Sequence, residues 1–108
     1  MKIIYNNLLP FRNFEAVNLC GFIFARKQYC PLSERAIIHE RIHTEQMKEM
    51  LFLFFYIWYL IEWLIRFIHF RNALQAYYAI SFEKEAYENQ YSASYLKKRK
   101  WGSFLNYL

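Results

Sequence analysis

Within the run Ser33–Met50, SERAIIHERIHTEQMKEM, stands His39-Glu40-Arg41-Ile42-His43. Two histidines four apart share one face of an α-helix. Both imidazoles can then aim at one point, as a tetrahedral zinc ion requires. Glu40 is one step round from His39. Its carboxylate therefore falls beside the position that a metal-activated water would take. The chemistry such a set suggests is hydrolysis.

A catalytic zinc takes three protein ligands and keeps one place open. A third histidine at the metzincin spacing needs glycine three residues after His43, and Gln46 stands there instead. His69, the remaining histidine, is one candidate. A glutamate from a later helix is another. Glu83-Lys84-Glu85-Ala86 reads E-x-x-A. Glu83 and Ala86 share a helix face, and the small alanine lets that helix come close. Glu85 competes as a ligand, although helix geometry points it away from the Ala86 face. Gln46 falls on the metal face, where it can hydrogen-bond substrate or a ligand.

His39-Glu40-x-x-His43 followed by Glu83-x-x-Ala86 resembles the gluzincins, the thermolysin-like zinc peptidases. The short chain is similar to the single-domain minigluzincins, which keep a sheet, an active-site helix and a glutamate helix. The resemblance implies a minimal zincin-like domain, Zn2+ as cofactor, and His39, His43 and Glu83 as its ligands. It implies Glu40 as the catalytic base and a peptide or protein as substrate. One departure concerns the aspartate that gluzincins often carry four residues after the glutamate ligand. Tyr87 stands there, a phenol that can hydrogen-bond but is not an anion at neutral pH. Tyr78, Tyr87 and His69 are candidates for a second electrophile. Minigluzincins use a C-terminal segment to hold the enzyme latent, which makes residues 97–108 a candidate cover for the cleft; the alternative is that Trp101, Phe104, Leu105, Tyr107 and Leu108 close the domain core.

The elements that must position these residues can be read from pattern. A chain of 108 residues, 56% apolar, is expected to form one α+β domain, a small N-terminal antiparallel sheet followed by three to four helices. Ile3-Ile4-Tyr5 reads as a strand that ends at Asn6-Asn7, and Pro10 and Asn13 punctuate the next segment. Phe14–Lys27 is β-branched and aromatic, with Gly21 at a bend. Two or three antiparallel strands are expected between residues 2 and 27. An exposed edge in the Val17–Phe24 region is the expected seat of an extended substrate. Ser33 is an N-cap, and Glu34 suits the positive end of the helix dipole.

Neither proline nor glycine occurs between Pro31 and Gly102. One helix from Ser33 to Phe70 would run ~57 Å, too long for this domain, so a break is expected near Glu49–Phe52. The uncharged run Met50–Ile61 makes only ~18 Å of helix against a ~30 Å hydrocarbon core. Glu62 and Arg66 interrupt any extension and form an i,i+4 pair in the favourable order. Leu51–Phe70 is therefore expected to be a buried central helix. Ser81 is the expected N-cap of a helix from Phe82 to about Tyr91.

The net charge is +5, and every acidic residue is glutamate. Lys97-Lys98-Arg99-Lys100 is the densest basic run, a solvated face or, on the sharper reading, a seat for anionic lipid or nucleic acid. No aromatic-studded basic stripe or nucleic-acid motif accompanies it, so nucleic acid is excluded as a partner. Peripheral membrane contact through exposed Trp and Phe is the other expected association. Cys20 and Cys30 make no C-x-x-C pair, and the N-terminus lacks the pattern of a signal peptide, which points to the reducing cytoplasm. Oligomeric state is not legible. A second function class stays open beside the peptidase, a zinc-stabilised binding or membrane-associated module without turnover.

Overall fold

The computed structural model describes residues 3–7 and 15–108. The punctuation expected at Pro10 and Asn13 lies outside them. Three strands, β1 (Ile3–Asn6), β2 (Ala16–Leu19) and β3 (Phe22–Arg26), form one sheet in the order β1-β3-β2. Cys20 and Gly21 join β2 to β3, with φ of 53° and 92°. Positive φ at both central residues is what a two-residue hairpin of the right twist needs. The antiparallel expectation holds for this pair and fails for β1, which runs parallel to β3. β3 inserts between β1 and β2, which run in opposite directions, so it must be parallel to one of them. Among the described residues, β2 has no strand on its outer side.

α1 (Glu34–Glu49) starts where Ser33 accepts a hydrogen bond from the Ala36 N–H at 3.2 Å. It ends in a Schellman motif that no glycine announces. The Phe52 N–H bonds the Met47 carbonyl at 2.8 Å, the Leu51 N–H reaches that of Lys48 at 3.4 Å, and Leu51 takes φ 53°. The expected break is thus present, made by a leucine in a conformation that glycine adopts more cheaply. α2 (Leu53–Phe70), α3 (Ala73–Ala79), α4 (Ser81–Asn89) and the four-residue α5 (Tyr95–Lys98) come next, and a 3₁₀ turn at Ser103–Tyr107 ends the chain.

α2 differs from expectation. Only Phe55 and Glu62 are buried on it, and the helix is long and apolar enough to cross a membrane by length and composition. Glu62 does not pair with Arg66. Its carboxylate accepts from the Ser81 N–H at 2.9 Å, the Ser81 hydroxyl at 2.6 Å and the Trp58 indole at 2.9 Å. Ser81 is accordingly the first residue of α4 rather than its N-cap. The start of α4 is capped from α2, a buried carboxylate against the positive end of a helix dipole.

The core gathers Met47, Phe55, Ile80, Phe82 and Phe104. Phe82 stacks on Phe55 with ring centroids 4.4 Å apart, and Phe104 lies 4.7 Å from Phe82. Phe104 belongs to the C-terminal segment. That segment packs against α4, as the core-closing alternative expects, and none of residues 97–108 lines the cleft that His39 and Glu83 border. Ending the chain after Lys100 should therefore lower stability by about 3–5 kcal/mol, the cost of removing a core phenylalanine. A urea denaturation midpoint would read this.

Candidate metal centre

α1 and α4 bring three donor atoms together. His39 Nε2 is 3.2 Å from His43 Nε2 and 3.2 Å from Glu83 Oε1, and His43 Nε2 is 3.1 Å from the same oxygen. All three residues are buried. Glu83 is delivered by the capped start of α4, and Ala86, fully buried beside Ile38 and Ile42 of α1, lets the two helices approach closely.

The far sides of both imidazoles are held. His43 Nδ1 faces Gln46 Oε1 at 2.7 Å, and His39 Nδ1 faces Gln90 Oε1 at 2.8 Å. The Gln46 amide is oriented by its own donations, to the Phe82 carbonyl at 3.1 Å and to Glu85 at 3.0 Å. His43 Nδ1 therefore donates to Gln46, His39 Nδ1 faces the Gln90 oxygen in the same way, and both Nε2 atoms turn to the centre. The Tyr59 hydroxyl donates to the second Glu83 oxygen at 2.7 Å, leaving Oε1 for the cluster. Burial and the Glu83 charge raise the Tyr59 phenol well above its usual range, so it stays a donor.

Three such atoms in mutual contact need positive charge among them, which a proton on His43 or a metal cation would supply. Corners separated by these distances belong to a tetrahedron whose centre lies about 2 Å from each, the usual Zn–N and Zn–O length. The donor set, two neutral imidazoles and a carboxylate, fits Zn2+. The electrostatics point the same way. Burial alone would lower His43, but Glu83, by charge and hydrogen bond, pushes it up to about 9. Burial alone would raise Glu83, and His43 and His39 together hold it well below the usual carboxylate range. Burial pushes Glu40 up to about 7, although His43 and His39 pull the other way.

His39, Glu40, His43 and Glu83 line a cleft of about 310 Å³. Its opposite wall is the edge strand β2, and Phe55, Tyr56 and Tyr59 of α2 close one end. A second hollow of about 230 Å³ adjoins it across Ala16, His39, Glu40 and Tyr77. Asn18 ties the edge strand to the metal helix, donating to the Glu40 carbonyl at 2.8 Å and to the Thr44 hydroxyl at 2.6 Å.

The other candidates fall elsewhere. His69 is exposed near the end of α2, against Phe70, and does not join the cluster. Glu85 is fully buried but faces the C-terminal side, where Tyr95 and Arg99 bond it and Arg99 also reaches Glu49. Tyr87 packs edge-on against His39, with ring centroids 4.4 Å apart, and its hydroxyl meets that of Tyr77 at 3.0 Å. The position of the absent aspartate is thus filled by a ring. The Nδ1 partner comes one turn later, from Gln90.

Gln90, Tyr59, Asn18 and the capping role of Glu62 escape sequence reasoning. One signal was present for Gln90. It lies seven residues after Glu83, just as Gln46 lies seven after His39, and that interval is two helical turns on one face. No family model, curated protein or solved structure matches this chain.

Proposed function

We propose that this chain is a zinc-dependent metallopeptidase, with His39, His43 and Glu83 as ligands and Glu40 as general base. The observation that carries the reading is the convergence of His39 Nε2, His43 Nε2 and Glu83 Oε1 within 3.2 Å of one another beside a buried glutamate in a cleft. Bound there, zinc would polarise a peptide carbonyl and bring the pKa of a water toward ~7.

Glu40 is placed to take the proton from an attacking water as the water's oxygen bonds to the carbonyl carbon. It then hands the proton to the amide nitrogen as the C–N bond breaks. A base whose pKa is near neutrality can do both. Gln46 and Gln90 hold the imidazoles in the required tautomer, and Tyr59 fixes the Glu83 rotamer. The β2 edge supplies backbone groups for an extended peptide running along both hollows. Tyr77 borders both hollows beside Glu40, its hydroxyl meets that of Tyr87, and burial and the Glu83 charge keep its phenol protonated.

Metal analysis of the purified chain should give one zinc, and an unstructured protein substrate should be cut in a chelator-sensitive way. A chain that takes up no zinc at neutral pH refutes the proposal. The second reading, a zinc-stabilised module without turnover, draws on the neutral Gln90 where an anionic orienter would sharpen the first histidine. It predicts one zinc and no cleavage.

A further inference from the structure

We propose that the outer face of α2 docks on an anionic lipid bilayer, lying along its surface. At 100° per residue, an arc of roughly 160° on this helix carries only Leu, Ile and Phe from Leu53 to Ile68. Ile57, Leu60, Ile61, Leu64, Ile65 and Ile68 are between 45% and 73% exposed. An unbroken apolar face of this kind amounts to several hundred Å² or more, above what monomers leave open to water without a partner.

Three observations choose lipid as the occupant. The arc holds no Gly, Ala, Ser or Thr, the small residues through which helices pack closely on one another in apolar surroundings. Its bulky, branched side chains suit a fluid phase. The charge nearby is of one sign. Between Met50 and Phe82 the only acid is Glu62, which is buried, while Arg71 stands exposed at the end of α2. Lys97, Lys98 and Lys100, all exposed, lead into the terminal segment whose Leu108 borders α2 beside Ile61 and Ile65.

The orientation is set by the other side of the helix. Glu62 caps α4, and Arg66 lies on the same side, so α2 cannot give up its protein face. Crossing the bilayer would carry both charges and α4 into hydrocarbon. An amphipathic helix with one face free lies in the interface instead.

The test is flotation of the full chain with phosphatidylcholine vesicles and with vesicles that also contain phosphatidylglycerol. The protein should float with the mixed vesicles, several-fold less with the neutral ones, and be released by alkaline carbonate. Ile61→Glu with Leu64→Glu should lower partitioning at least tenfold while zinc content and helicity stay as in the wild type. If that pair fails to fold, Ile61→Gln with Leu64→Gln replaces it, and quenching of tryptophan fluorescence by brominated lipid reads the wild type directly. Absence of flotation with mixed vesicles, equal flotation on both compositions, retention through carbonate, or a folded double variant that floats normally would each overturn the proposal. None of these readouts depends on peptide cleavage.

Discussion

Glu40→Gln is expected to keep its zinc and lose ~10²–10⁴-fold in peptide hydrolysis, the usual contribution of a general base. The substitution is close to isosteric, so the cleft keeps its shape. Glu40 makes no bond to the three converging donor atoms, and its backbone carbonyl, which Asn18 uses, is untouched. Metal analysis should give the wild-type ratio, and kcat should fall with little change in KM. Burial already raises the Glu40 carboxyl to about 7. Removing its charge therefore relieves a desolvation cost, and the variant should be as stable as the parent or more so. This pattern, more stable or equal but inactive, separates a catalytic carboxylate from a structural one. Equal hydrolysis by variant and wild type would remove the base assignment. No hydrolysis by either, with zinc bound, would favour the non-catalytic module.

The convergence of His39, His43 and Glu83 was legible because it is written in helical intervals. An interval of four positions from His39 to His43, and of three from Glu83 to Ala86, fixes a common face whatever the rest of the chain does. The α1–α2 break was legible from length alone, although not its mechanism, since Leu51 carries no sign that it will adopt a positive φ. The failures have a common cause. Patterns within one element do not say which neighbour it meets. Glu62 and Arg66 read as interruptions of the uncharged run in a buried helix, yet both mark the protein side of α2 and leave the other side unbroken. Glu62 read as a partner for Arg66 because only its own helix was in view, and its true partner, Ser81, lies on another. The parallel pairing of β1 is likewise decided by where β3 inserts. For the terminal segment the sequence left two seats open, the cleft and the core, and Phe104 packs against Phe82 in the core.

Glu83→Ala is expected to weaken zinc binding by at least ~10²-fold, since even the groups that merely orient metal ligands are worth 10–100-fold. Glu85→Ala is expected to leave zinc bound and to cost about 3–5 kcal/mol of stability, the cost of leaving one partner of a buried ion pair unmatched. The two residues lie two apart on one helix, both are buried, and both are carboxylates, so the contrast isolates direction. Glu83 turns toward the two Nε2 atoms and Tyr59. Glu85 turns toward Arg99, Tyr95 and Gln46. Its only link to the metal side is through the Gln46 amide, which bonds His43. A small loss of affinity in Glu85→Ala is consistent with that link, because Gln46 would then hold His43 Nδ1 less firmly. Chelator competition at neutral pH measures the affinities, and denaturation of the zinc-loaded proteins measures the stabilities. Glu83→Gln keeps the volume and a hydrogen bond to Tyr59, so a fold loss in the alanine variant would not obscure the result. Undiminished zinc affinity in Glu83→Gln, together with its collapse in a folded Glu85→Ala, would move the third ligand to Glu85 and dismantle the site as assigned.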